Sequence, residues 1–121
     1  MARESFTTDK IAAPVGPFSP AVRAGEFVYL SGQVAQDPTS GRLIEGDVAA
    51  QTELIFKNVE AVLAAARKTF ADVIKASVYL TDMRGRAAMN AVYGRHFEAA
   101  YPARTAAPHR PCCFHCRSSR Q

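Results

Sequence analysis

The chain has 121 residues, of which 48% are hydrophobic and 21% are charged. This size and composition fit one folded domain with an apolar core and exclude a disordered chain. The sequence has no apolar run long enough to span a membrane and no apolar N-terminal signal segment. We therefore expect a cytoplasmic protein without a membrane partner.

The net charge of +4 comes mainly from the C-terminal end of the chain. Residues 1–104 hold twelve Lys or Arg and eleven Asp or Glu, whereas residues 105–121 add three arginines and no acid. A nucleic-acid surface needs a basic stripe on the folded domain. The charge distribution therefore argues against a nucleic-acid partner.

The N-terminal third of the chain predicts short strands joined by turns. Residues 14–20 contain three prolines and one glycine, so we expect an irregular segment there. Residues 21–31 have the pattern of a strand, a turn and a second strand, which is rich in β-branched and aromatic side chains. Residues 37–41 have the composition of another turn.

Two helices and a strand are predicted next. Apolar residues at spacings of three and four predict a helix over 47–68, with Asp47 as its N-cap. Residues 86–100 return to the helical period. Between the helices, residues 74–81 alternate between apolar and polar side chains, as in a half-buried strand. The apolar members of this strand are Ile74, Ala76, Val78 and Leu80.

This order of elements predicts a sheet with both helices on one face, completed by a further strand starting near Arg104. Residues 106–121 do not have the pattern of a strand, because they contain two prolines and no aliphatic side chain larger than alanine. We therefore expect a domain over residues 1–105 that lacks its last strand, and an atypical basic tail over 106–121. One hypothesis for the tail is a reading-frame change in the source gene shortly after Arg104.

The tail also contains all three cysteines of the chain. Zinc sites usually need a second pair of ligands roughly 12–20 residues from the first, and the histidine outside the tail, His96, lies on a predicted helix. We therefore predict no metal site and an exposed tail with reactive thiols. The candidate ligands in the tail are His109, Cys112, Cys113, His115 and Cys116.

Seven short segments carry a more specific signal. They are Ala13-Pro-Val-Gly-Pro-Phe-Ser-Pro-Ala21, Val28-Tyr-Leu-Ser-Gly-Gln33, Asp37-Pro-Thr-Ser-Gly41, Gln51 to Asn58, Lys75-Ala-Ser-Val-Tyr-Leu-Thr-Asp82, Asn90-Ala-Val-Tyr93, and Phe97 to Thr105. Each segment alone is weak evidence for a protein family. In this order and spacing they make residues 6–105 resemble the RidA (YjgF-like) family of imine and enamine deaminases.

The resemblance implies a chorismate-mutase-like α+β domain, in which two helices pack on one face of a mixed sheet. It also implies a homotrimer with sites in the clefts between subunits. The implied reaction is hydrolysis of 2-imino acids, or their enamine tautomers, to 2-keto acids and ammonia, with no metal or organic cofactor. Such intermediates leak from pyridoxal-phosphate enzymes such as threonine dehydratase, so the implied role is metabolite damage control.

By this resemblance Arg104 binds the substrate carboxylate, because a guanidinium can hold a carboxylate through two parallel hydrogen bonds. The alternative is a surface arginine that follows a helix. Phe18 stands where the family usually has tyrosine and either walls the pocket or packs in the core. Ser31 and Gly32 either close a strand at the site or simply end it. Asn90 either holds pocket groups by its amide or is a solvated helix residue.

One departure from the family concerns the general base. The family has a glutamate on its last strand that orients or activates the attacking water, and such a base must lie within hydrogen-bond reach. No Asp or Glu follows Glu98 in this sequence, so we predict an impaired deaminase. The alternatives are a non-catalytic trimer that binds small acids or acts as a chaperone and, with less support, an RNA-acting translation inhibitor.

Overall fold

The computed structural model describes residues 2–109. Three strands come first along this part of the chain, and helices and strands then alternate. The strands are β1 (Glu4–Phe6), β2 (Ala21–Ala24), β3 (Phe27–Leu30), β4 (Lys75–Leu80) and β5 (Ala103–Pro108), the helices are α1 (Val48–Ala65) and α2 (Arg86–His96), and short 3-10 turns cover Phe70–Asp72 and Met83–Gly85. Neither helix combines the length and hydropathy that a membrane span requires.

The strands form one antiparallel sheet and one parallel pair. β1, β2 and β3 are neighbours in that order, with Val22 opposite both Ser5 and Tyr29. β4 and β5 run parallel, with Ala76 opposite Arg104. A parallel pair needs a crossover connection, which α2 provides here.

The two helices cover one face of these sheets. Val62 of α1 packs with the buried Ala21 of β2. Further along the same helix, Phe56 packs with Met89 of α2 and with the inward side chains of β4, including Leu80. The predicted α+β class with two helices on one face is therefore confirmed. The predicted mixture of strand directions is also present, with the antiparallel strands in one sheet and the parallel strands in the other.

The helix boundaries follow their local signals closely. The Asp47 carboxylate accepts a hydrogen bond from the Ala50 N–H at 2.8 Å, which makes Asp47 the N-cap of α1 as predicted. α1 ends at Ala65, three residues before the predicted end, and Arg67 then adopts a φ of 62°. This left-handed backbone cannot continue a right-handed helix.

The predicted strand over 74–81 is present as β4, with one difference at its start. Ala76, Val78 and Leu80 pack toward the helices as the alternation predicts. Ile74 precedes the strand and is 67% exposed. Its carbonyl nevertheless accepts a hydrogen bond from the Ala103 N–H at 3.0 Å, where β5 begins.

The prediction that no strand follows the second helix is wrong. β5 pairs with β4 as far as Pro108, and the His109 N–H then donates to the Leu80 carbonyl at 2.8 Å. The two alanines before Pro108 are half-buried, and a proline at the end of an edge strand removes little of the ladder. The boundary expected between residues 105 and 106 thus lies inside a strand. Predictions about residues 110–121 fall outside the described part of the chain.

Candidate functional site

Arg104 is the second residue of β5, and its side chain reaches the neighbouring helix α2. Its Nη1 donates a hydrogen bond to Oδ1 of Asn90 at 2.7 Å. Its guanidinium carbon lies 4.8 Å from the centre of the Tyr93 ring. Asn90 and Tyr93 are three residues apart and therefore share one face of α2, so a single helix face holds the guanidinium.

A cavity of about 350 Å³ opens beside this guanidinium. Arg104 is the one charged residue that lines it within the described chain, and it forms no salt bridge there. A guanidinium has five N–H donors, and only one of them is used by Asn90. The cavity is therefore suited to a small anion. The lining residues are Asn90, Tyr93, Gly94, Tyr101, Pro102 and Arg104.

Tyr93 joins this cavity to the core. Its side chain is 6% exposed and packs against Phe97 and Phe56, with ring centroids 4.7 and 5.7 Å away. Its hydroxyl is buried and has no hydrogen-bond partner among residues 2–109. Burial raises the pKa of Tyr93, and the nearby Arg104 charge lowers it in part, so the phenol stays neutral at physiological pH.

Phe18, Ser31 and Gly32 form a second group near the end of β3. The Ser31 hydroxyl donates to the Ser19 carbonyl at 2.6 Å, which ties the end of the strand to the proline-rich segment. Phe18 is 51% exposed, so it is not a core residue of the single chain. No heavy atom lies within 4 Å of a Cβ built on Gly32, so the space beside it is open.

These two groups are separate within one chain. No hydrogen bond or ring contact in the described residues joins Phe18, Ser31 or Gly32 to Arg104. Of the candidate residues, the structure thus brings Asn90 and Arg104 together and leaves the other three apart.

The endoribonuclease L-PSP family model matches residues 8–110. The chain belongs to this family, which is the RidA (YjgF-like) family. Among its RidA relatives, the 2-iminobutanoate/2-iminopropanoate deaminase of Bos taurus is 38% identical, and the match covers 88% of this chain and 77% of the bovine protein.

Two solved structures agree with this assignment. RidA from an Antarctic Psychrobacter species superposes with a TM-score of 0.81 at 42% identity, covering 85% of this chain and 83% of the other. The structure of E. coli TdcF with bound serine superposes with a TM-score of 0.80 at 32% identity, covering 87% of this chain and 84% of the other.

Sequence reasoning missed part of this RidA site. Tyr93 was not among the predicted site residues, and the structure shows that the face of its ring contacts the Arg104 guanidinium. Its spacing of three from Asn90 was the available signal. Tyr101 and Pro102 also line the cavity, but they lie in an irregular segment before β5, where no periodicity marks them.

A second, larger cavity of about 580 Å³ lies along α1. Its lining combines the acidic residues Glu53 and Glu60 with Lys57 and His96. Arg95 donates to the Glu53 carboxylate at 2.7 Å, which lowers the pKa of Glu53. No cluster of three His, Cys, Asp or Glu among residues 2–109 could hold a metal ion. The Arg104 cavity is therefore the better candidate for an anionic ligand.

Proposed function

We propose that this chain binds small 2-imino and 2-keto acids at Arg104, and that its ancestral reaction is the hydrolytic deamination of 2-imino acids. The observation that carries the proposal is the held guanidinium. One of its donors is bonded to Asn90, and the others remain available beside a cavity of about 350 Å³. A carboxylate is the group that such a planar fork of donors recognises best.

The relatives support an acid of this class. The bovine relative is named for 2-iminobutanoate and 2-iminopropanoate, which carry a carboxylate next to the imine carbon. The TdcF structure contains serine, another small molecule with a carboxylate. This chain covers more than three quarters of both proteins, so we transfer the ligand class to it.

In the proposed reaction, water attacks the imine carbon, a C=O bond replaces the C=N bond, and the nitrogen leaves as ammonia. One water is consumed, one 2-keto acid and one ammonia are formed, and no electrons are exchanged. Arg104 would hold the carboxylate adjacent to the reacting carbon. The role of Arg104 is therefore to fix the substrate, and the attacking water needs a separate base.

No Asp, Glu or His lines the Arg104 cavity within residues 2–109, and no Asp or Glu follows Glu98 in the sequence. General acid–base catalysis contributes typically about 10²–10⁴-fold to a rate. We therefore propose that turnover is low, and that acid binding without efficient catalysis is the alternative function of this chain.

We also propose a homotrimer in which a neighbouring subunit completes the site. The sheet faces opposite the helices expose three aromatic side chains, Phe27 at 54% and Tyr29 at 64% on β3 and Tyr79 at 62% on β4. Exposed apolar patches of this kind are typical of protein–protein interfaces. In such an assembly Phe18 and Ser31 of one subunit would approach Arg104 of the next, which would account for their separation within one chain.

Arg104→Lys and Arg104→Met test the proposal in calorimetric titrations with 2-oxobutyrate. Hydrogen bonds to charged groups are worth about 1.5–3 kcal/mol, so we expect Lys to weaken binding about 10- to 100-fold and Met to abolish it. Arg23→Met is the matched control, because Arg23 pairs with Glu4 on the other sheet.

Turnover is measured separately, as 2-keto acid release from imines generated in situ by an amino-acid oxidase. We expect release only slightly above buffer. Equal 2-oxobutyrate binding by the unmodified chain and Arg104→Met would refute the proposal. The family model is named for an endoribonuclease, and RNA binding in the absence of acid binding would favour that function instead.

A further inference from the structure

We infer that Tyr93 is a positioning residue for the proposed acid site. Its ring carries the guanidinium of Arg104 and thereby keeps the unused donors available to a ligand in the cavity. This inference rests on the function proposed above, because it concerns how Arg104 is prepared to bind a carboxylate.

Arg104 needs such support because of where it lies. It is an exposed residue near the start of β5, and both of its chain neighbours are exposed as well. An exposed arginine side chain samples many rotamers and loses this freedom when it binds a ligand. Contacts that restrict the guanidinium before binding therefore strengthen the binding of a carboxylate.

The Tyr93 ring is a fixed platform for this purpose. It is 6% exposed and is held by the rings of Phe97 and Phe56, so it cannot move without disturbing the core. The guanidinium carbon lies 4.8 Å from its centroid, within the range in which an aromatic face attracts a cation.

The two contacts of Arg104 restrain different parts of its side chain. The Tyr93 ring contacts the guanidinium, whose carbon lies 4.8 Å from the ring centroid, and Asn90 accepts a hydrogen bond from Nη1. No hydrogen bond within residues 2–109 uses Nε or Nη2, so these atoms remain available for two parallel hydrogen bonds to a carboxylate.

The Tyr93 hydroxyl plays no part in this geometry, since it has no hydrogen-bond partner among residues 2–109. The ring alone should therefore perform the positioning. This separates the inference from a role for Tyr93 as an acid or as a hydrogen-bond donor to the ligand. Phenylalanine should replace Tyr93 well, whereas an aliphatic side chain of similar size should not.

The experiment measures 2-oxobutyrate affinity of the full chain by calorimetry for Tyr93→Leu and Tyr93→Phe. Cation–π contacts account for roughly two- to thirtyfold in affinity, and we expect Tyr93→Leu to weaken binding by about tenfold within that range. We expect Tyr93→Phe to restore the affinity to within about threefold of the unmodified chain. If Tyr93→Leu does not fold, Tyr93→Met supplies the same loss of the ring.

Two controls separate positioning from general damage to the core. Phe70→Leu removes an aromatic ring that packs against the same core cluster, and among the described residues Phe70 neither contacts the Tyr93 ring nor lines the Arg104 cavity. The methyl ester of 2-oxobutyrate lacks the charge that Arg104 recognises. A positioning role predicts that Tyr93→Leu reduces the preference for the acid over the ester, and that Phe70→Leu keeps this preference.

The outcomes distinguish the two proposals. If the unmodified chain does not bind 2-oxobutyrate, the proposed function fails, and this inference fails with it. If the unmodified chain binds and Tyr93→Leu binds equally well, the inference alone is overturned. An equal loss of preference in Phe70→Leu and Tyr93→Leu would also overturn it, because Tyr93 would then act only through the core.

Discussion

Gly85 and Val48 are in such close contact that a Cβ atom on Gly85 would lie 2.8 Å from Cγ2 of Val48. Gly85 is the N-cap of α2, and Val48 is the first residue of α1. The φ of Gly85 is −79°, which any residue can adopt. Space between the two helix starts, and not backbone conformation, is therefore what favours glycine there.

Gly85→Ala should destabilise the fold by about 1–3 kcal/mol, the usual cost of overpacking. In a Val48→Ala background the clash is removed, so the same substitution should cost much less. The free energy of unfolding in urea, followed by circular dichroism, measures both effects. Gly94→Ala is the control, because a Cβ there meets no atom within 4 Å, and it should stabilise α2 by about 0.5–1 kcal/mol. Equal costs of Gly85→Ala in both Val48 backgrounds would show that the clash is not the cause.

Asn58 fastens α1 to the loop that follows β3. It is 3% exposed, and its amide nitrogen donates to the Gln36 carbonyl at 3.0 Å and lies 3.4 Å from the Val34 carbonyl. Asn58→Leu would leave the Gln36 carbonyl without this donor, whereas the Val34 carbonyl still accepts from the Gln36 N–H at 2.7 Å. The substitution should cost about 1–3 kcal/mol of unfolding free energy. Lys57→Leu, an exposed change on the same helix, should stay within about 0.5 kcal/mol.

Asn58→Asp refines this prediction. A carboxylate has the shape of the amide but cannot donate, so this variant should be at least as unstable as Asn58→Leu at pH 7. On acidification the carboxyl gains a donor, and part of the lost stability relative to the unmodified chain should return. Urea unfolding at pH 7 and at pH 4 measures the change. A deficit that stays constant or grows toward pH 4 would contradict this account.

Asp82 gives the fold a dependence on acid pH. Its hydrogen bonds with Arg84 lower the pKa of the Asp82 carboxyl from 3.8 to about 2. A lowered pKa in the folded state means that the stabilisation is complete above 3.8 and is lost as the pH falls through about 2. Asp82→Asn keeps an oxygen to cap the 3-10 turn and removes the charge.

This variant should have a lower melting temperature than the unmodified chain at pH 7, and the difference should shrink as the pH falls through about 2 and vanish below it. Because the pair is exposed, the difference should also shrink in high salt. Thermal melts at several pH values check both trends. The hypothesis is wrong if the two chains differ by the same amount across the whole pH series.

Local signals in the sequence predicted most of the fold. The Asp47 cap and the apolar spacing marked α1, and the alternation around Val78 marked β4. β5 escaped prediction because its pairing is not local. An alanine-rich segment that ends in Pro108 has little strand propensity of its own, and it becomes a strand because the crossover through α2 brings it beside β4.

The sequence predicted two of the residues that form the candidate site, but it did not predict how the structure brings the site residues together. Family resemblance identified Arg104 and Asn90, which the structure joins by a hydrogen bond. The contribution of Tyr93 depends on how β5 lies against α2, which no pattern in the sequence expresses. Phe18 and Ser31 were grouped with Arg104 on the same resemblance, and a single chain does not bring them to it.

The location of Arg104 couples ligand binding to the attachment of a strand. Among the described residues, β5 is hydrogen-bonded to β4 alone, so its detachment would remove the guanidinium from α2. An acid bound by Arg104 would therefore stabilise the pairing of β5 with β4 and slow the detachment of β5. Occupancy of the cavity should be visible as slower amide exchange along Ala103–Pro108, well beyond the atoms that touch the ligand.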